Sequence, residues 1–140
     1  MEIFHIDDSQ EDALLVGRIL KPKGIKVFHY FDIESAPTEK ESVVILLDLR
    51  LILTSGEETL KAVLNKYKKA AIVVLTTSSI EDVLFCRKYD ITVFNKDDIV
   101  GKGSADKLIE SMLQAAVKVS QQKLLDEIHN LNKACEDGIE

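Results

Sequence analysis

Five short segments of the chain are dense in β-branched, aliphatic and aromatic residues and are bounded by polar or turn-forming ones: EIFHI (2–6), IKVFHYF (25–31), SVVILL (42–47), AAIVVLT (70–76) and DITVFN (90–95). Each predicts a β-strand. Between them the apolar residues recur at helical spacing, over 9–20 with Ala13, Leu14, Val16, Gly17 and Leu20 on one side, over 56–67 with Leu60, Val63 and Leu64, and over 80–89 with Val83, Leu84 and Arg87. Ser9 is a helix N-cap with Asp12 three residues on, and Ser79 precedes Glu81 and Asp82, whose carboxylates suit the positive end of a helix dipole. Pro37 interrupts 32–41, which holds a short, weak helix at best. The predicted order is strand then helix, five times over. That alternation implies an α/β fold, a doubly wound, five-stranded parallel sheet covered on both faces, with the wholly apolar third and fourth strands at its centre.

Composition narrows the picture. At 140 residues, 46% hydrophobic and 30% charged, the chain is the size of one globular domain. A net charge of −6 and a pI near 5.1 argue against direct nucleic-acid binding. No apolar run approaches the roughly 20 residues that span a bilayer, and the first residues, MEIFHIDD, are acidic, so a cytoplasmic protein without membrane contact is expected. Cys86 and Cys135 stand far apart with no CxxC or His-rich surroundings, which predicts two reduced thiols.

In a doubly wound sheet, ligands bind beyond the carboxyl ends of the strands, where the strand order reverses. The first predicted strand runs into Asp7 and Asp8, the third into Asp48, the fourth into Thr76 and Thr77, and the fifth into Asn95 and Lys96. Asp48 is the telling residue, because an apolar strand gains no stability from a carboxylate. Two carboxylates about 4 Å apart repel by roughly 4 kcal/mol at an effective dielectric near 20, so such a rim needs cations. Lys96 supplies one, and hard oxygen ligands favour Mg²⁺ for the rest. A metal and a lysine around a carboxylate point to phosphoryl chemistry, in which the protein positions a nucleophile and neutralises charge.

With these residues in place, the chain resembles a response-regulator receiver domain over 1–119. HIDDSQED resembles the family's acidic metal-binding pair, which implies that role for Asp7 and Asp8; LLDLR resembles the phosphoacceptor segment, making Asp48 the nucleophile and the Arg50 main-chain carbonyl a further Mg²⁺ ligand. VVLTTSS implies Thr76 as the hydroxyl that follows the phosphoryl group, and VFNKDD implies Lys96 as its cationic partner. The pattern departs from the family's in four places. Ile52 and Asp97 stand where proline is usual, Thr77 where alanine or glycine is usual, and Val93 at the position of the switch aromatic, with Phe94 beside it on the opposite side of the strand.

The remaining polar residues carry plainer expectations. His5 and His29 are read as strand residues, and no spacing among them and His129 indicates a metal or catalytic site. Asp97 and Asp98 fit a solvated turn or a cap, and Glu57 and Glu58 a helix start.

Beyond a last helix at 104–119, residues 120–140 continue without Pro or Gly until Gly138, and Leu124, Ile128, Leu131 and Cys135 recur at four- and three-residue steps. This predicts a helical extension, either projecting as a parallel coiled-coil dimer or connector, or packed back on its own domain. The whole reads as a phosphorylatable signalling switch rather than a conventional enzyme. A sensor histidine kinase would phosphorylate Asp48 with Mg²⁺, and output would pass by contact with a downstream protein. The alternative is a non-switching, receiver-like scaffold or dimerisation module. A haloacid-dehalogenase-like phosphatase is disfavoured, since Arg50 occupies the position of its second acid.

Overall fold

The computed structural model describes residues 2–38, 44–49, 56–76, 80–101 and 103–138. Five strands, β1 (Glu2–Ile6), β2 (Lys26–Tyr30), β3 (Val44–Asp48), β4 (Ala71–Thr76) and β5 (Thr92–Asn95), form one sheet in the order β2-β1-β3-β4-β5. Every pairing is parallel. The order reverses between β1 and β3, so the crevice for a ligand lies at the ends of these two strands.

Among the described residues, four α-helices flank the sheet: α1 (Gln10–Leu20), α2 (Gly56–Lys66), α3 (Ile80–Lys88) and α4 (Ser104–Gly138). Side-chain alternation along the strands feeds two cores. Phe4, Ile6, Ile45, Leu47, Ile72 and Val74 pack towards Leu60, Val63 and Cys86 of α2 and α3. Ile3, Val44, Leu46, Val73 and Leu75 pack towards Val16 and Leu20 of α1 and Leu108 and Met112 of α4. As expected, β3 and β4 are buried along their whole length.

Two expectations need correction. The first is the short, weak helix allowed at best at 32–41: the described part, 32–38, holds none, so the fivefold repeat is incomplete among the described residues. Residues 32–38 form turns: the Asp32 carboxylate accepts the Ser35 N–H (2.7 Å), but Pro37 has no N–H with which to extend helical pairing, and 39–41 lie outside the described residues. Ile33 and Ala36 are buried, and Lys66 Nζ and the Tyr67 hydroxyl donate to main-chain carbonyls of this segment at Ile33, Ala36 and Pro37. The end of α2 thereby ties down a loop that covers the sheet where a helix was expected. The second is the start of the fifth strand. Asp90 adopts a left-handed conformation (φ 54°) and, with Ile91, returns its N–H to the last turn of α3, so pairing begins only at Thr92.

The final helix is continuous for 35 residues, about 52 Å at ~1.5 Å per residue. Leu108, Met112 and Ala115 are buried against the sheet, whereas every residue from 120 to 135 is exposed. The extension projects and does not fold back.

Candidate functional site

Three elements converge at the crevice. Asp7 follows β1 directly and is 2% exposed; its Oδ1 accepts the Ser9 N–H (2.9 Å), which turns the chain into α1. Ser9 is the N-cap, its hydroxyl accepting the Asp12 N–H (3.2 Å), and this sets Asp12 in the first turn of α1 facing the same space. Asp48 ends β3 and is buried. Lys96, in the 3-10 turn after β5, reaches across the strand ends. Its Nζ lies 2.5 Å from Asp12 Oδ2, 3.1 Å from Asp48 Oδ2 and 3.3 Å from Asp7 Oδ2.

The electrostatics follow from this geometry. Burial works against the Lys96 ammonium, yet the hydrogen bond to Asp12 and the charges of Asp48 and Asp7 outweigh it and hold its pKa above the ordinary lysine value. Burial likewise raises Asp7, but contact with His5, the Ser9 N–H and Lys96 overcome it and leave Asp7 below the usual carboxylate range. Carboxylate oxygens of Asp7, Asp12 and Asp48 all lie within 4.8 Å of one another. Among the described residues three carboxylates face one ammonium, and Asp7 Oδ2, though 3.3 Å from Lys96 Nζ, is buried without a well-formed hydrogen bond. That under-satisfied oxygen and the hard, all-oxygen donor set fit a small divalent cation such as Mg²⁺.

Of the residues singled out in the sequence, Asp7, Asp48 and Lys96 come together. Asp8 is half-buried and has interactions of its own, but stands outside the converging carboxylates. Arg50, Thr77 and Ile52 lie outside the described residues. Thr76 is buried at the end of β4, beside the crevice, and its hydroxyl donates to Asp82 Oδ2 of α3 (3.3 Å). Val93 is half-buried and lines a cleft of about 310 Å³ with Thr76, Ile80, Leu84 and Arg87, while Phe94 turns into the opposite core. Asn95 caps the following turn, Lys96–Ile99, by accepting the Asp97 N–H (2.9 Å).

Two features escaped the sequence reading. Asp12 takes its place in the helix cap as the sequence predicts, but its carboxylate is also the shortest contact of Lys96, a role the capping pattern does not announce. The capping pattern at Ser9 already placed it one turn from Asp7, which was the available signal. His5 and His29, considered unrelated, are register partners on β1 and β2 with their Nδ1 atoms 3.0 Å apart, and His5 Nε2 lies 3.4 Å from Asp7 Oδ2. A separation of 24 residues carries no local signal; only the strand register joins them.

No family model and no curated protein matches the chain. Solved structures do. The signal receiver domain of a LuxO repressor protein from Vibrio parahaemolyticus is 19% identical, with 89% of this chain and 95% of that one aligned at a TM-score of 0.65. NtrX from Brucella abortus is 20% identical over 91% of this chain at a TM-score of 0.70, and there the chain spans 29% of the longer protein. A structure of the yeast Spc42 trimeric coiled coil, amino acids 181–211, fused to another protein aligns with 99% of this chain and 96% of its own at 17% identity and a TM-score of 0.65, so that likeness takes in the long helix. None of the helices in the described residues is long and apolar enough to cross a membrane. With strand order, crevice and these likenesses in agreement, the chain has the fold of the response-regulator receiver domains.

Proposed function

We propose that the chain is a two-component signalling switch whose phosphoacceptor is Asp48. The observation that carries this reading is the convergence of Asp7, Asp12 and Asp48, from three separate elements, on the single ammonium of Lys96 at the reversal point of the sheet. Such a cluster is costly to stability unless it serves a cation and a transferred anion.

A divalent cation held by Asp7 and Asp48, with Asp12 in reach and the Arg50 carbonyl as the resemblance implies, would supply charge neutralisation for an incoming phosphoryl group. Asp48 then attacks phosphorus in line. The new bond is Oδ–P, and the bond broken is P–N of a kinase phosphohistidine or P–O of a small acyl phosphate, whose leaving group keeps the electron pair. Lys96, already against Asp48 Oδ2, exchanges its carboxylate contacts for a phosphoryl oxygen. Thr76 reaches the same group only after giving up Asp82, so that bond is the natural element to switch. Attack of water on phosphorus later returns the carboxylate and inorganic phosphate.

Output passes by protein contact. The projecting half of α4 exposes Leu124, Ile128 and Leu131 at 56%, 45% and 65%, an apolar stripe suited to another helix. A second copy of the chain in parallel is the partner we favour, because the stripe recurs at four- and three-residue steps. A second reading, a scaffold that dimerises without switching, is favoured by Val93, which leaves a cleft rather than an aromatic ring beside Thr76.

Intact-mass measurement after incubation with acetyl phosphate and Mg²⁺ tests the proposal. One added phosphoryl group, absent without metal and absent in Asp48→Asn, is expected. A folded protein that binds Mg²⁺ yet gains no mass would transfer the case to the scaffold.

A further inference from the structure

Directly beneath the crevice, on the same face of β1 as Asp7, lies His5, whose side chain is wholly buried. A buried imidazole must place both ring nitrogens. Its Nδ1 faces His29 Nδ1 at 3.0 Å, close enough for one N–H···N hydrogen bond and therefore for one proton between the two rings. Its Nε2 and Asp7 Oδ2 are both without a hydrogen bond among the described residues, and they lie 3.4 Å apart. If His5 carried its proton on Nδ1, its Nε2 lone pair would face a buried carboxylate oxygen, two acceptors with nothing between them. The other tautomer resolves both sites at once: His29 donates from Nδ1, His5 accepts there, and His5 Nε2–H points at Asp7 Oδ2.

His29 is arranged to play this part. It sits on the edge strand β2 in register with His5, and its far nitrogen, Nε2, faces Gly17 of α1, where even a Cβ would approach it to 3.3 Å. A glycine at this turn of α1 is what leaves the ring its place. Burial, and then the neighbouring His5, hold His29 below the usual histidine range, so it remains a neutral ring with one donor and one acceptor.

We infer that His5 is a positioning residue for the Asp7 carboxylate, with its tautomer fixed by His29, and that it thereby sets the affinity of the crevice for a divalent cation. The inference rests on the reading of the crevice as a cation site. Asp7 is held from both sides, by the Ser9 N–H on Oδ1 and by the His5 N–H aimed at Oδ2. A carboxylate oriented in this way keeps its direction when Lys96 gives way to a cation. Partners of this kind behind a metal ligand typically govern its affinity by 10- to 100-fold.

The test uses the full chain as wild type, His5→Leu and His5→Gln. Leucine removes the donor and keeps an apolar filling, whereas glutamine returns an N–H near the position of Nε2. Long-range ¹H–¹⁵N spectra of the imidazoles are expected to show His5 protonated on Nε2 and His29 on Nδ1. Calorimetric titration with Mg²⁺ should give a dissociation constant about tenfold weaker in His5→Leu. His5→Gln should restore it to within about threefold of wild type, with no loss of melting temperature in the leucine variant to account for the change. Unchanged Mg²⁺ affinity in His5→Leu, or equal loss in both variants, would overturn the inference, as would a His5 ring protonated on Nδ1. A wild type that binds no Mg²⁺ would instead defeat the cation reading of the crevice, and the tautomers would then decide the His5–Asp7 contact by themselves.

Discussion

Replacing Lys96 by methionine removes the only ammonium in contact with Asp7, Asp12 and Asp48 among the described residues and leaves an uncharged chain of similar length. The three carboxylates then face one another with oxygens no more than 4.8 Å apart. At an effective dielectric near 20, each pair at that separation repels by roughly 3 to 4 kcal/mol, a figure that solvent around the partly exposed Asp12 reduces. Breaking a buried ion pair from one side commonly costs about 3 to 5 kcal/mol. We therefore expect the metal-free variant to lose about 3 kcal/mol at pH 7, or roughly 10 °C in melting temperature for a chain of this size.

The pH dependence carries the sharper test. In the wild type, Asp7 has a depressed pKa, so its contribution is present above the unfolded carboxylate value and is lost as pH falls through the folded one. Lys96 has a raised pKa; its contribution is complete at neutral pH and fades only as pH rises past the ordinary lysine value of 10.5 towards the folded one. Without Lys96 the sign for the carboxylates reverses, because crowding raises them above their unfolded values. The stability gap between wild type and variant should then narrow as pH is lowered from 7 to 5, and saturating Mg²⁺ should narrow it at pH 7. Urea unfolding at the two pH values, with chelator or with Mg²⁺, measures both effects. A gap that is absent at pH 7, or that stays the same at pH 5, would refute the account of the crevice electrostatics.

Three further outcomes are expected. Asp12→Asn should weaken Mg²⁺ binding about tenfold, or ~1.4 kcal/mol, in calorimetric titration, since Asp12 belongs to the converging carboxylates and Asp8 does not; unchanged affinity would return the role to Asp8. Leu124→Glu combined with Ile128→Glu should abolish self-association in light scattering while leaving the melting temperature of the folded body unchanged, because both residues are exposed on the projecting helix. Tyr67→Phe removes the donor to the Pro37 carbonyl and should cost about 1 kcal/mol in urea unfolding without altering Mg²⁺ affinity.

The sequence revealed some parts of this architecture and concealed others for identifiable reasons. Strands β3 and β4 are central, so both of their faces are apolar and their runs stood out. The acids and lysine at strand ends were legible because strand order alone brings those ends together. What failed depended on competing local bonds or distant register. Pro37 ends the pairing that Asp32 begins and so cuts short a helix that composition still allowed, and Asp90 in a left-handed conformation delays β5. Asp82 lies in the first turn of α3, as its sequence position indicates, but its contact with the Thr76 hydroxyl joins two elements and has no local signal. The pairing of His5 with His29 follows only from which residue of β2 lies opposite which residue of β1. The helical extension was legible in its stripe, whereas the choice between projection and back-packing turned on the exposure of residues 120–135.

The central claim concerns which carboxylate receives the phosphoryl group, because Asp7, Asp12 and Asp48 all lie within reach of one cation. Borohydride reduction of protein treated with acetyl phosphate and Mg²⁺ converts an aspartyl phosphate to homoserine, and peptide mass mapping then locates it. The account predicts homoserine at position 48 alone, dependent on Mg²⁺. Homoserine at 7 or 12, or none in a protein that binds Mg²⁺, would contradict it.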